Sequence, residues 1–347
     1  MTEDVLYEHH RLRVDRGQNS VRIDKYLAGH LANISRSRIQ NASKAGNVLV
    51  NEKQVRPNYR VKPADVISIV LPFPPRDTDI IPENIPLEIV YEDQWIMLIN
   101  KKPGMVVHPA KGNVTGTLMN ALYGYFGLSK CTIPLEGPDG MSRKPYPFLV
   151  HRLDKNTSGL IVVAKDVISQ AKIAKQFFDR TVRKKYLALV WGDVKKNEGL
   201  ISGNIGRSRK NRKVMDVFGD ESTGKPAETY YRVLDRYKNV TLLECAPKTG
   251  RTHQIRIHCK HIGHPLFGDK EYGGDKVHSG DTSAKFRQFI TGCLEMFTRQ
   301  ALHAASLGFV HPETGKEVHF TSPLPGDFDT IVRKMKEWSE RITNRKV

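Results

Sequence analysis

Hydrophobic residues recur with helical spacing near the start of the chain and with strand-like spacing through most of the remainder. In residues 21–32, Ile23, Leu27 and Leu31 fall on one face of a helix. The following segment, SRSRIQNASKAG, begins with Ser35, a good N-cap residue, and ends at a glycine. The pattern therefore predicts two consecutive short helices.

A hairpin and a strand complete this first predicted unit, which spans residues 21–70. The hairpin covers residues 48–55 and turns at Asn51-Glu52, and the strand covers residues 66–70. The segments on either side lack a regular period. Residues 1–20 predict a mobile arm. Residues 71–88 contain five prolines, which have no amide hydrogen to donate, and they predict a linker without regular structure.

Residues 89–325 predict a larger, strand-rich domain, and residues 326–347 predict a C-terminal helix. Asp166 is placed as the N-cap of one of its helices. Strands and helices do not alternate regularly, so the predicted fold class is α+β, with a mixed, largely antiparallel sheet rather than a doubly wound one. The expected strands are 95–100, 148–150, 160–164, 186–191, 228–235, 240–245, 254–258 and 306–310, and the expected helices are 115–126, 166–180 and 283–297.

The charge is the unusual feature of the composition. The 347 residues include 55 Lys and Arg against 37 Asp and Glu, a net charge of +18. Two zones concentrate the excess: residues 21–70 have nine basic and three acidic residues, and residues 183–213 have ten and two. Apolar residues are interleaved in both zones, which indicates folded basic surfaces. Two such surfaces favour an extended polyanion, either nucleic acid or an acidic membrane surface.

Several classes of protein are disfavoured. No apolar run approaches the roughly 20 residues that span a bilayer, and the first ten residues lack the basic and apolar regions of a secretory signal. The four cysteines, Cys131, Cys245, Cys259 and Cys293, form no zinc or disulfide spacing. We expect a cytoplasmic protein that is monomeric and not attached to a membrane.

Two stretches are dense in reactive side chains: HRLDKNTSGL, which contains Asp154, and TGRTHQIRIHCKHIGHPLFGDKEYGG, residues 249–274. If residues 254–258 form a strand, Arg256 lies on one face while the flanking isoleucines enter the core. The reactive residues at the start of the second stretch are Arg251, His253, Arg256 and His258.

Three chemistries compete for these stretches. A metal site is disfavoured because no acidic ligand is interleaved with the histidines and the arginines repel a cation. A glycosidase needs two cooperating carboxylates, and Asp154 has no evident partner. A single carboxylate that acts as nucleophile or base, kept ionised by a nearby arginine, fits best. No metal or other cofactor is expected.

The segments RIDKYL, SRSRIQNASKAGNVLVNEKQV and KPADVISI resemble the αL RNA-binding module first described in a ribosomal small-subunit protein. Arg36, Arg38 and Lys44 then share one short helix, whose free N-terminal amides also suit backbone phosphates. The family usually has Asn-Gly at the hairpin tip. Glu52 replaces that glycine here, and a positive φ at Glu costs up to about 1–2 kcal/mol, so a different turn type is open to this chain.

The segments HRLDKNTSGLIVVAK, RKKYLALVWG and GRTHQIRIHCKHIGHPLFGDKEYGG resemble the three signature stretches of the RluA-type pseudouridine synthases, and the resemblance extends over nearly all of residues 89–325. An αL module in front of this domain resembles the RluD-like branch. The resemblance implies a pseudouridine synthase fold and an enzyme that isomerises uridine in RNA, most of all in large-subunit ribosomal RNA within the ribosome or a pre-ribosomal particle. A tRNA-modifying synthase and a non-catalytic RNA-binding or ribosome-assembly factor are the alternatives.

The resemblance also implies roles for individual residues. Asp154 is the catalytic aspartate, Arg256 pairs with it, and Tyr186 lies against the target base and assists proton handling at carbon 5. Arg152 helps to extrude the target from its stack. Residues expected to contact RNA are His151, Thr157, Arg251 and His253 in the catalytic domain, and Arg36, Arg38 and Lys44 in the αL module.

Two departures from the family pattern stand out. Lys102 occupies the place where the family often has the first proline of an Asn-Lys-Pro stretch. Residues 127–147, rich in glycine and proline, are longer than the usual approach to the catalytic aspartate. This insertion is expected to shape substrate choice or to act as a lid.

Overall fold

The structure is a computed structural model, and it describes residues 7–31, 36–71, 80–110, 112–128, 145–220, 222–277 and 283–344. Residues 1–79 and residues 80–347 form two compact units. The strands are β1 (Tyr7–Arg13), β2 (Val48–Val50), β3 (Lys53–Gln54), β4 (Val66–Leu71), β5 (Ile89–Glu92), β6 (Ile96–Lys101), β7 (Phe148–Leu149), β8 (Ser158–Ala164), β9 (Arg183–Trp191), β10 (Glu198–Arg207), β11 (Met215–Phe218), β12 (Lys225–Arg236), β13 (Val240–Pro247), β14 (Leu302–Val310) and β15 (Glu317–Thr321). The helices are α1 (Ile23–His30), α2 (Arg36–Lys44), α3 (Leu118–Tyr125), α4 (Val167–Phe178), α5 (Gln254–His261), α6 (Ala284–Met296) and α7 (Gly326–Thr343).

The first unit packs α1 and α2 around a small antiparallel sheet with the strand order β1-β4-β2-β3. The prediction of a mobile arm over residues 1–20 is wrong for residues 7–13, because β1 pairs with β4 from Glu8 opposite Val70 to Arg13 opposite Val66. This strand lies at the edge of the sheet and is mostly polar, so it leaves little hydrophobic period in the sequence.

The hairpin tip keeps the geometry that is typical of Asn-Gly. Both Asn51 and Glu52 have positive φ, 49° and 66°, so the replacement of glycine by Glu52 does not change the handedness of the turn. The Asn51 side chain donates to Asp65 at 3.0 Å and accepts from the amide of Val66 at 2.9 Å. Residues at the start of β4 therefore hold the tip of the hairpin in place. The predicted N-cap, Ser35, lies outside the described residues.

The second unit is built on one large sheet. Its strand order is β11-β10-β12-β13-β9-β14-β8-β6-β5, with β15 on β14 and β7 on β8. In the strand pairs of the described residues only β14 and β8 run parallel, which confirms the predicted mixed, largely antiparallel α+β fold. Asp166 caps α4, as expected, by accepting from the amides of Ile168 and Ser169. Within the described part of the chain, no helix is both long and apolar enough to cross a membrane.

Strand β9 lies in the middle of this sheet and faces a helix layer on each side. Leu189 and Trp191 belong to a core that includes α6 and α7, whereas Ala188 and Val190 pack with α5. Because side chains alternate along a strand, Tyr186 shares the face that packs with α5. The alternation thus directs Tyr186 toward the helix that carries Arg256.

Residues 254–258 form the start of α5, and the prediction of a strand there is wrong. The error has a physical cause: all six residues from Gln254 to Cys259 are buried, so neither a helical nor a strand face is marked by exposed polar residues. His253 precedes the helix with a left-handed backbone, φ 57°. This left-handed conformation changes the direction of the chain where the preceding loop meets α5.

The predicted linker and the C-terminal helix both pack on the second unit. Residues 80–88 contain no helix or strand, but Ile81 accepts a hydrogen bond from Asn120 at 2.8 Å and Ile80 is buried.

Phe328 and Ile331 anchor α7 in the core. Residues 72–79 of the linker, and residues 129–144 of the predicted insertion, lie outside the described residues.

The parallel pairing of β8 with β14 requires glycine at position 159. Gly159 has φ 111°, and an added Cβ would lie 2.3 Å from the carbonyl oxygen of Ala304. We expect Gly159→Ala to lower the free energy of unfolding by at least about 2 kcal/mol. Gly219→Ala is the control, since that glycine has open space around it. Chemical denaturation compares the two, and equal stabilities would contradict this account.

Candidate active site

Asp154 lies in the loop between β7 and β8 and lines a cavity of about 520 Å³. A turn holds it, because the amide of Thr157 donates to the carbonyl oxygen of Asp154 at 3.1 Å. Thr157 itself is only 2% exposed and accepts from the Gln300 side chain at 3.2 Å. Thr157 therefore supports the loop and also lines the cavity, so its contact with substrate stays a prediction.

Arg256 connects Asp154 to two further carboxylates. Its Nε and Nη2 donate to the two oxygens of Asp269 at 2.7 and 2.8 Å, and its Nη1 lies 3.3 Å from Asp154 Oδ2. Nη2 also donates to Glu271, and the guanidinium lies over the ring of Tyr272, 4.9 Å from its centroid. Arg256 is thus fixed in position with one N–H group directed at Asp154.

The charges around Arg256 keep it ionised despite its burial. Burial lowers the pKa of Arg256, but its bonds to Asp269 and the charges of Asp154 and Glu271 outweigh that effect and raise the pKa above its ordinary value. The side chain is only 5% exposed. A permanent positive charge with little access to solvent therefore lies within hydrogen-bond distance of the Asp154 carboxyl group.

Gln254 fixes the segment that leads into α5. Its amide nitrogen donates to the carbonyl oxygen of Glu228 at 2.9 Å and to the Thr229 hydroxyl at 3.0 Å. Its amide oxygen accepts from Thr249 and from the amide of Arg251. The Gln254 side chain therefore joins the loop at residues 249–251 to strand β12. It fixes the place where α5, the helix that carries Arg256, begins.

His253 borders Asp154 on the other side, with its Nε2 3.9 Å from Asp154 Oδ1. Its Nδ1 lies 2.8 Å from the Tyr272 hydroxyl oxygen, which already accepts from the amide of Met215 at 3.1 Å. Burial lowers the pKa of His253, against the opposing charge of Asp154.

Tyr186 lines the same cavity from strand β9. Burial raises the pKa of its phenol well above the ordinary value, and the charge of Asp154 acts in the same direction. The hydroxyl is therefore protonated throughout the neutral range. The site brings together one carboxylate, one fixed cation and one neutral phenol, as the resemblance implied.

Comparison with known proteins agrees with this arrangement. The family model described as RNA pseudouridylate synthase matches residues 95–261, and the S4 domain model matches residues 21–67. An uncharacterized RNA pseudouridine synthase of Chlorobaculum parvum is 44% identical over 94% of this chain and 97% of its own length. The ribosomal large subunit pseudouridine synthase D of Zymomonas mobilis is 40% identical over 90% of this chain and 93% of its own.

This chain belongs to the RNA pseudouridine synthase family. Among solved structures, that of the human protein RNA pseudouridylate synthase domain containing 1 is 27% identical, with a TM-score of 0.52 over 72% of this chain and 89% of that chain. The predictions of an isomerase that acts on RNA and of an N-terminal RNA-binding module are therefore confirmed.

The structure adds a residue to the synthase site that sequence reasoning missed. Lys101 is 1% exposed, and its ammonium donates to the carbonyl oxygens of Lys102, Met105 and Lys155 at 2.9–3.1 Å. Burial lowers its pKa to about 7, while the charge of Asp154 opposes that shift. Lys101 thus ties the loop of Asp154 to the end of β6. The side chain of Lys102, the departure from the family pattern, is exposed.

The remaining predicted contacts of the catalytic domain differ in what they touch. Arg152 is exposed at the cavity, as a residue that meets RNA must be. Arg251 also lines it, but its Nε donates to the carbonyl oxygen of Pro226 at 3.1 Å. His151 accepts from the amide of Val162 at 3.0 Å, and burial lowers its pKa to about 3. His151 is therefore a neutral support for the loop.

The predicted RNA contacts of the first unit share one helix, α2. Arg36 donates to the buried Asp24 at 2.9 Å, and its side chain is still 47% exposed. The hydrogen bond from Arg22 holds the pKa of Asp24 well below its usual range. Lys44 borders a hollow of about 550 Å³, and Arg38 is exposed. Asp24 thus holds the side chains of Arg22 and Arg36 in position, while the Arg36 side chain stays partly accessible to solvent.

Asp269 is the residue on which the position of Arg256 depends most. We expect Asp269→Asn to lower the free energy of unfolding by about 2 kcal/mol, because a charged hydrogen-bond pair is lost in the interior. Pseudouridine formation should fall about 100-fold through misplacement of Arg256. Glu271→Gln, at a side chain 47% exposed, should cost less on both measures. An Asp269→Asn enzyme with unchanged turnover would contradict the positioning role.

Proposed function

We propose that this synthase isomerises uridines of large-subunit ribosomal RNA, with Asp154 as the catalytic carboxylate. The observation that carries the proposal is the fixed Arg256–Asp154 pair in a cavity also lined by Tyr186. Relatives from Zymomonas mobilis and Xylella fastidiosa, named ribosomal large subunit pseudouridine synthase D, support the choice of RNA.

The reaction is an isomerisation in which atoms balance without a co-reactant. The bond between uracil N1 and the sugar C1′ breaks, the base turns, and a bond between C5 and C1′ forms. The hydrogen on C5 leaves, and N1 gains a proton. Asp154 begins this sequence in its ionised form, either by attack on C1′ or by removal of the 2′ proton. Both routes use the carboxylate beside which the Arg256 guanidinium is fixed.

Tyr186 and Arg152 take the other two parts in the proposal. Tyr186 lies against the target base and assists proton handling at C5, where one proton must leave. Arg152, exposed at the cavity, fills the space that the target leaves in the RNA stack, which offsets part of the few kcal/mol of unstacking.

The biological setting follows from the same reasoning. We infer a monomer that works in the cytoplasm on the ribosome or a pre-ribosomal particle, with the first unit holding RNA through α2. A tRNA-modifying synthase is the second candidate, since nothing in the cavity distinguishes the two RNAs. A non-catalytic assembly factor is disfavoured, because Asp154, Tyr186 and Arg256 are all present and assembled.

Replacement of the catalytic carboxylate tests the enzyme. We expect Asp154→Asn to abolish pseudouridine formation while RNA affinity stays within a few-fold of wild type, because the variant keeps shape and loses only the charge. Pseudouridine is measured by chemical labelling of RNA after incubation. Substantial residual turnover would remove Asp154 from the nucleophile or base role.

The substrate is identified from RNA of a strain that lacks this gene. Pseudouridines that disappear should map to large-subunit ribosomal RNA and should return when the wild-type gene, but not the Asp154→Asn gene, is supplied. Losses confined to tRNA would favour the second candidate.

The role of α2 is tested through salt dependence. We expect the double variant Arg38→Gln, Lys44→Gln to reduce the slope of log affinity against log salt by about 1.4, because each phosphate contact on a single strand contributes about 0.7. Lys336→Gln, an exposed residue of α7, is the control and should leave the slope unchanged. An unaltered slope in the double variant would contradict phosphate binding by α2.

A further inference from the structure

One wall of the catalytic cavity is formed by the end of α4 and the start of β9, where Phe178, Arg180 and Lys184 lie. The Phe178 side chain is 86% exposed, the highest value among the large exposed hydrophobic residues of the described chain. A single exposed aromatic residue is ordinary on a protein surface and indicates nothing alone. At the mouth of a cavity that must take an RNA base, however, it offers a flat face for stacking.

Arg180 and Lys184, the two cations beside Phe178, form no ion pair with a carboxylate of the described residues, whereas the adjacent Arg183 and Lys185 do. Arg183 pairs with Glu317, and Lys185 lies 3.2 Å from Glu244. Over the described residues, no carboxylate lies within 4 Å of the charged groups of Arg180 or Lys184. Burial lowers the pKa of Lys184, and the charge of Arg180 lowers it further. Two like charges that are not neutralised favour an anion between them.

The backbone holds Arg180 in an unfavourable conformation at this place. Arg180 has φ 61°, in the left-handed region where the residue after a helix is usually glycine. An arginine there costs about 1–2 kcal/mol that a glycine would not. The sequence thus keeps a guanidinium at the mouth of the cavity against a local penalty, which points to a use for the charge.

This wall is also joined to the loop of Asp154. Phe177, next to Phe178, stacks on His151 with ring centroids 4.7 Å apart, and Lys184 Nζ lies 6.0 Å from the Phe177 centroid. His151 begins the loop that carries Arg152 and Asp154. A group bound against Phe178 is therefore held at a fixed position relative to the catalytic carboxylate.

We propose that Phe178, Arg180 and Lys184 form a subsite for the nucleotide next to the target uridine. The base of that nucleotide stacks on Phe178, and its phosphate lies between Arg180 and Lys184. The subsite recognises an unstacked nucleotide of any sequence, since every base has a face to stack. The inference rests on the proposed function only in assuming that an RNA uridine enters the cavity, whichever RNA supplies it.

Stacking is tested with full-length protein in the Asp154→Asn background, so that the RNA is not converted during the measurement. The probe is a transcript that contains the uridine mapped in the gene-deletion strain. We expect Phe178→Ala to weaken binding about tenfold and Phe178→Trp to retain it. Ile168→Ala, a 53% exposed residue of the same helix away from the cavity, should bind like the parent. Because Phe178 is exposed, all variants should keep the parental melting temperature.

An alanine variant that binds within twofold of the parent, or a tryptophan variant as weak as alanine, would overturn the stacking contact. The phosphate contact has its own test, since Lys184→Gln should reduce the salt slope by about 0.7 and Phe178→Ala should leave it unchanged. Equal slopes in Lys184→Gln and the parent would overturn that part.

The position of the nucleotide is tested by photo-cross-linking from p-benzoylphenylalanine placed at position 178. Cross-links should fall within about two nucleotides of the mapped uridine, whereas cross-links found only elsewhere in the transcript would overturn the subsite. These outcomes are separate from the proposed function, because a mapped uridine in tRNA or in ribosomal RNA serves equally well as the reference point.

Discussion

The ion pair between Arg256 and Asp269 is the constraint on which the active site depends. Two buried hydrogen bonds of 2.7 and 2.8 Å remove the freedom of the guanidinium and leave one N–H group for Asp154. The fixed guanidinium therefore keeps a constant orientation toward the Asp154 carboxyl group. Three carboxylates around Arg256 offset the cost of its burial, so the cluster that stabilises the segment after α5 also fixes the guanidinium beside Asp154.

The surroundings of Asp154 come from distant parts of the chain. Lys101 at the end of β6 holds the loop through the carbonyl oxygen of Lys155, and Gln300 before β14 holds it through Thr157. Tyr186 enters from β9 because alternation along that strand directs it toward α5. The arrangement places rigid elements behind each reactive group, which is what a site needs to keep its geometry while RNA binds and leaves.

The sequence predicts the fold class, and it also predicts the residues that the structure brings together around Asp154, but on different grounds. The lack of a regular βαβ alternation along the chain predicts the largely antiparallel sheet, whereas the roles of Tyr186 and Arg256 depend on family resemblance. The segment 254–258 was mistaken for a strand because burial on all sides erases the helical period. Strand β1 was missed because an edge strand has little need of apolar residues. Lys101 and Asp269 were missed because a buried charge is identified by its partners, and partners far apart in sequence leave no local pattern.

The parallel pairing of β8 with β14 has a consequence for how this chain reaches its active form. Ser158 and Gly159 pair with His303 and Ala304, so the strand that follows the Asp154 loop is completed by residues 145 positions later in the chain. Contacts of such long sequence separation form slowly, because a large loop must close before they contribute stability. During synthesis, the pairing that follows the Asp154 loop can therefore form only after residues 303 and 304 have left the ribosome. The RNA-binding module, residues 21–67, precedes that pairing in the chain and is made first.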